Sequence, residues 1–169
     1  MASTYLQKTG ITGSSETAWT ISCWVKYCKS SEASIYSAIN GSNFSEAYFY
    51  TDNTLEWYSY SGGYVGRIKT NRVFRDRSAF YHLTFVWDSN NGTASDRMRL
   101  YVNGVRETSF SVETQPSSGA SGYVNGTFNV GSFRDQTASY MFDGSMAHVH
   151  FIDGTAYDAD TFGETDSTT

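Results

Sequence analysis

Alternation of apolar and polar residues is the dominant signal along this chain, and no helical period is sustained anywhere in it. In TAWTISCWVKY, residues 17–27, Trp19, Ile21, Cys23 and Val25 fall on one face, with Thr20, Ser22, Trp24 and Lys26 on the other. In YHLTFVWD the apolar set is Tyr81, Leu83, Phe85 and Trp87. In RMRLYVNGV it is Met98, Leu100 and Val102, opposed by Arg97, Arg99 and Tyr101. A slip of one residue would expose each apolar set, so the pattern itself specifies the register. Asn103-Gly104 between Val102 and Val105 predicts a two-residue hairpin, because both central turn positions need positive φ.

Further strands are predicted at SIYSAIN, EAYFYT, TLEWYSY, GRIKTN, GTFNVGSF and SMAHVHFID, with Gly62-Gly63, Gly92, Gly119, Gly122 and Gly126 as punctuation. DSNNGTASD reads as the loop ahead of the Asn-Gly hairpin. ETQPSSGASGYVNG reads as a long connection over the surface. GTAYDADTFGE reads as a turn followed by one short helical turn. About ten strands in one sheet would have to curl or split. The expected fold is therefore all-β: a two-sheet antiparallel jelly-roll sandwich occupying residues 1–169 as one domain.

Composition agrees with this reading. Of 169 residues, 17% are aromatic, including 13 Tyr, 11 Phe and 4 Trp, so each buried residue removes much surface from water. A net charge of −5 and the absence of a basic stripe exclude nucleic acid as the expected partner. The single cationic cluster, RVFRDRSAF, sets Arg72, Arg75 and Arg77 around Asp76 and reads as an ion-pair corner. No apolar run is long enough to span a membrane, and MASTYLQKTG lacks a signal peptide's apolar core. Cys23 and Cys28, five residues apart on an extended segment, would lie roughly 16 Å apart, too far to pair with each other. Two free thiols point to assembly in a reducing compartment.

The segments AWTISCWVK, VFRDRSAFYHLTFVWD, ASDRMRLYVNGV and FDGSMAHVHFIDGTAYDADTFGE resemble the concanavalin A-like lectin/glucanase superfamily, closest to its laminin-G-like and pentraxin-like branch. More narrowly they resemble the variety that recurs in virion proteins of tailed bacteriophages. The resemblance runs from about Tyr5 to Glu164. It implies a curved jelly roll whose relatives mostly bind rather than catalyse. It also implies a place in the virion, on a capsid decoration, head fibre or tail fibre. The implied partners are other virion proteins and host-surface glycan, with homo-oligomers common. In such phage proteins the chain often continues beyond the segment matching FGETDSTT, so this sequence is expected to be a module of a longer protein.

Catalysis within that fold would need suitably placed carboxyls or a nucleophile. Retaining glycoside cleavage needs two carboxyls about 5–5.5 Å apart, and no Glu-x-Asp-x-x-Glu strand occurs. The nearest pairs are Asp52 with Glu56 and Glu164 with Asp166. His82, His148 and His150 sit on strands without a G-x-S-x-G nucleophile motif. The expectation is a noncatalytic binding or structural module, with a glycoside hydrolase of the same fold as the alternative.

Glycan contact is expected at LEWYSYSGGYVG. Glu56, Tyr58 and Tyr60 share a strand face there, opposite Leu55 and Trp57, and Tyr64 follows the glycine turn. With Trp57 in the core, the tyrosines would point outward, each with an apolar body and a wet tip. No cofactor is expected, although calcium would find oxygen ligands at Asp88, Asn90, Asn91 and Asp96, and at Asp135 and Asp143. The competing role for those residues is turn formation through side-chain-to-backbone hydrogen bonds.

Overall fold

The structure, a computed structural model, describes residues 4–12, 15–28, 31–134 and 138–163. Its strands run β1 (Leu6–Ile11), β2 (Ala18–Tyr27), β3 (Ala33–Asn40), β4 (Asn43–Phe49), β5 (Leu55–Tyr60), β6 (Tyr64–Thr70), β7 (Tyr81–Asp88), β8 (Met98–Val102), β9 (Val105–Arg106), β10 (Phe110–Thr114), β11 (Gly126–Val130) and β12 (Gly144–Asp153). They form a seven-stranded sheet, β1-β11-β3-β4-β5-β6-β10, and a five-stranded sheet, β12-β2-β7-β8-β9. Every pairing is antiparallel. The expected two-sheet sandwich is thus the observed fold.

The alternating apolar sets supply the layer between the sheets. Trp19, Ile21, Cys23 and Val25 are buried, as are Leu83, Phe85 and Trp87, and Met98, Leu100 and Val102. Leu55, Trp57 and Ile68 face them from the seven-stranded sheet. At the centre Trp19 and Trp87, cross-strand partners, stack at 6.0 Å, and Trp57 meets both edge-on at 5.7 and 6.4 Å. Such pairs contribute about 0.5–1.5 kcal/mol each beyond the area they bury. The Asn103-Gly104 turn has φ of +51° and +78°, as the hairpin reading requires. The side-chain oxygen of Asn103 also accepts the His82 N–H at 2.9 Å, tying the turn to β7.

Three features differ from the sequence reading. β1 and β10 are absent from it; both are edge strands, held by backbone pairing to β11 and β6. Residues 113–126 do not simply cross the surface. Val124 is fully buried, Ala120 O accepts the Trp87 indole N–H at 3.1 Å, and Gly122 lies flat against Trp19 and Trp87. This segment closes one end of the core. The RVFRDRSAF cluster is not an ion-pair corner either. Asp76 accepts from the backbone and hydroxyl of Ser78 and from the Ala79 N–H, an Asx-type turn. Arg72 pairs instead with Glu107, and Arg77 reaches Cys28 O and Asn53 while lying over the Tyr27 ring. Cys23 is buried and Cys28 exposed, and both are free.

Candidate functional site

The outer face of the seven-stranded sheet carries a dense polar and aromatic arrangement. Alternation on β5 puts Glu56, Tyr58 and Tyr60 on that face, since Leu55 and Trp57 are buried in the core. Pairing with β4 sets Tyr48 opposite Glu56, Glu46 opposite Tyr58 and Phe44 opposite Tyr60. Pairing with β6 adds Arg67 opposite Tyr58.

Two carboxylates anchor the face. Tyr58 donates to Glu46 Oε2 at 2.9 Å, and Tyr48 donates to Glu56 Oε2 at 3.0 Å. Each acid also has an arginine: Arg67 Nε lies 2.6 Å from Glu56, and Arg134 lies 3.4 Å from Glu46. Glu46 is fully buried and the Glu56 side chain is 3% exposed. Burial, reinforced by the adjacent carboxylates, pushes the phenols of Tyr48 and Tyr58 well above the usual tyrosine range. They therefore remain hydrogen-bond donors at any physiological pH.

A cover makes the face concave. Ser132 O accepts the hydroxyls of Ser34 and Ser37 at 3.0 and 2.9 Å, pinning the segment after β11 across β3. From there the Arg134 guanidinium lies 4.1 Å from the Phe44 ring centroid and 4.4 Å from that of Phe133. Phe133 in turn packs on Tyr140 at 4.8 Å. Between cover and sheet is a recess of about 150 Å³ lined by Glu32, Ser34, Tyr48, Tyr58, Phe133, Arg134 and Tyr140. Aromatic walls with a few fixed polar groups are the usual make-up of a small-ligand site.

Of the four residues expected to contact glycan, only Tyr58 lines this recess. Tyr64, half exposed, packs edge-on against Tyr58 and Tyr60 at 5.5 and 5.7 Å, extending the aromatic surface toward the β5–β6 turn. The expected outward tyrosines are only partly so: Tyr58 is 9% exposed and Glu56 2%. Sequence reading missed Tyr48, Phe133, Arg134 and Tyr140. Tyr48 could have been found from the alternation in EAYFYT. The other three come from a segment whose position depends on contacts far along the chain, with 88 residues separating Arg134 from Glu46.

Several of the side-chain oxygens expected to offer calcium ligands are engaged by the protein. Asp88 Oδ2 accepts from Asn91 at 3.0 Å and lies 3.7 Å from Arg99. Asp96 pairs with Arg106 at 2.6 Å, and Asn90 donates to Thr17. Asn91 Oδ1 accepts the Thr93 N–H, making an Asx turn. Asp143 is exposed just before β12, and Asp135, Glu164 and Asp166 lie outside the described residues. No cluster of three or more His, Cys, Asp or Glu suited to a metal occurs among the described residues. In the Asp52–Glu56 pair, Asp52 accepts from Thr54 and Lys69 in the turn before β5, while Glu56 is held by Arg67 and Tyr48. No described helix is long and apolar enough to cross a membrane.

Fold and face together define a lectin-type antiparallel sandwich with an aromatic, arginine-capped recess on its larger sheet. Residues 2–160 match the family model described as the concanavalin A-like lectin/glucanases superfamily, of the laminin-G type, and the chain belongs to that superfamily. No curated protein matches it. Among solved structures it is similar to the heptameric SAP-like pentraxin of Limulus polyphemus, with a TM-score of 0.62, 17% identity, and 87% of this chain and 68% of that one covered. It is also similar to the CBM40 of the Ruminococcus gnavus IT-sialidase bound to α2,3-sialyllactose, with a TM-score of 0.61, 17% identity and 92% and 95% covered. The receptor-binding domain of botulinum neurotoxin D gives a TM-score of 0.57 at 11% identity, with 92% of this chain and 37% of that one covered. At these identities the likeness is one of fold.

Proposed function

We propose that the chain is a noncatalytic carbohydrate-binding module carried on the virion of a tailed bacteriophage, where it contacts host-surface glycan through the recess on the seven-stranded sheet. The observation that carries this reading is the recess under Phe133, Arg134 and Tyr140, floored by Tyr48 and Tyr58. Aromatic rings offer apolar faces to a sugar ring, while Arg134, Glu32 and Ser34 offer the polar partners that orient it. Tyr60 and Tyr64 continue the surface for a longer chain of sugars. The structural likeness to a CBM40 bound to a sialylated sugar supports the reading. The virion setting rests on the resemblance of VFRDRSAFYH and HFIDGTAY…FGE to phage proteins. Copies displayed side by side on a particle or fibre would gain avidity without any new contact.

A glycan array probed with the protein displayed multivalently tests the proposal. Retention on a defined set of glycans, weakened in Arg134→Ala, is the expected result. An array with no retention above background, combined with fixed lattice positions in a virion reconstruction, would leave a purely structural decoration protein.

The pair of buried glutamates is the one observation that favours a glycoside hydrolase. Glu46 and Glu56 sit on one face, but each is committed to a tyrosine and an arginine and neither is open to the recess surface. Hydrolysis needs one carboxyl free to protonate a leaving group and another free to attack or activate water. Release of reducing ends from bacterial or algal polysaccharide, abolished by Glu46→Gln, would establish the hydrolase.

A further inference from the structure

The opposite face of the sandwich holds a second recess. It lies on the outer side of the five-stranded sheet, about 150 Å³ in volume, and is lined by Ser22, Trp24, His82, His148, His150 and Phe162. All three histidines of the chain meet there. The backbone is specially arranged to bring them together. β12 slips register against β2 between Ala147 and His150, and within that bulge His148 adopts φ of +48°. A non-glycine residue in the left-handed region is uncommon, and bulges re-aim side chains. Here the bulge brings the His148 and His150 rings together, stacked at 6.5 Å, with Phe162 stacked on His150 at 5.9 Å.

The rest of the recess is equally defined. Trp24, the one tryptophan outside the core, is 37% exposed and stacks on His82 at 5.0 Å. His82 is 5% exposed, its Nε2 is 2.8 Å from Ser22 Oγ, and burial lowers its basicity. The chain after β12 packs over the neighbouring part of this sheet, through Thr155 and Tyr157 to Thr20 and through Asp158 to Arg99 and Tyr101, and leaves the recess open beside Phe162. The ring nitrogens of His148 and His150 have no hydrogen-bond partner among the described residues.

We infer that this recess is a second ligand site, distinct from the one under Arg134, and that it takes a neutral pyranose ring. No carboxylate, lysine or arginine lines it, so no permanent charge there selects a charged ligand. Trp24 offers an indole to the C–H face of a sugar. A neutral imidazole presents one donor and one acceptor, matching hydroxyl groups that are both. The His148 and His150 rings, adjacent and with their nitrogens unpartnered among the described residues, can bridge adjacent hydroxyls. With one site on each sheet, the module could hold two sugar chains on opposite faces.

The test is an NMR titration of the whole chain with methyl glycosides of glucose, galactose and mannose, following imidazole and indole nitrogens. A glycoside with a dissociation constant of order 1 mM should shift His148, His150 and Trp24 together. His148→Asn, which tolerates the left-handed backbone, and Trp24→Ala should each weaken that binding about tenfold. Arg134→Ala should leave it unchanged, which separates this site from the one on the other face. If Trp24→Ala does not fold, His150→Gln serves in its place. The inference is overturned if no glycoside moves the three resonances, if sulfate moves them while glycosides do not, or if Arg134→Ala removes the response.

Discussion

The Tyr58 hydroxyl donates to Glu46 across the β4–β5 ladder at 2.9 Å, and Tyr48 repeats the contact one step along, to Glu56 at 3.0 Å. Strand pairing makes this repetition possible: each tyrosine stands opposite a glutamate of the neighbouring strand, so the contacts alternate along one face. A buried carboxylate is tolerable only with its lone pairs occupied and its charge compensated. Arg67 and Arg134 supply the charge, one from the sheet and one from the cover.

Alkaline pH should unfold the protein steeply. Burial raises the pKa of Tyr36, Tyr48 and Tyr58 above the unfolded value near 10. A raised folded pKa means that the unfolded chain loses the proton first, so stability is intact below about pH 10 and falls above it. Each such tyrosine contributes a slope of at most ~1.4 kcal/mol per pH unit. Urea melts at pH 9, 10 and 11 should show the loss, and Tyr58→Phe should flatten it. A melting midpoint that stays level to pH 11 contradicts the prediction.

Arg134→Ala should weaken glycan binding and stability together. It removes the guanidinium between Phe44 and Phe133 and the ionic partner of a fully buried Glu46. Tyr58 remains as a donor to Glu46, which limits the expected cost to about 1–3 kcal/mol. Chemical denaturation measures it. Glu46→Gln in the same background should recover part of the loss, because it removes a buried charge that Arg134 no longer pairs.

The two thiols should react very differently. Burial pushes the Cys23 thiol up to about 12, whereas Cys28 is exposed at the end of β2. The thiolate is the reactive species. A thiol reagent such as Ellman's at pH 8 should titrate one cysteine in the native protein and both in denaturant. Rapid native labelling of both would show that the core is open at Cys23.

Gly122→Ala should destabilise the protein by about 1–3 kcal/mol, the usual cost of overpacking a core. A methyl group there would come within 2.3 Å of the Trp19 indole nitrogen and 3.0 Å of Trp87. Gly92→Ala, with open space around the added carbon, is the control and should leave the midpoint nearly unchanged. Equal melting temperatures for the two variants would contradict the packing at that end of the sandwich.

Period-two alternation is local, so the sequence alone specified the strands that build the core. Trp19, Phe85, Trp87 and Trp57 could be assigned to the interior because they fall in apolar sets that recur every second residue, and Asn103-Gly104 could be assigned to a turn because its backbone needs positive φ. The edge strands β1 and β10 were invisible to this reasoning: an edge strand is held by backbone hydrogen bonds, which any side chain permits. Tertiary structure also decided which faces carry the candidate sites. The strand face holding Tyr58 is legible in LEWYSY, but what covers it is not, since Arg134 reaches Glu46 across 88 residues of chain. Likewise His82, His148 and His150 lie on two strands that both pair with β2, and they meet only because the sheet forms and β12 bulges. Local periodicity determines which way a side chain points from its strand; which other strand it then faces depends on long-range pairing that no short window of sequence contains.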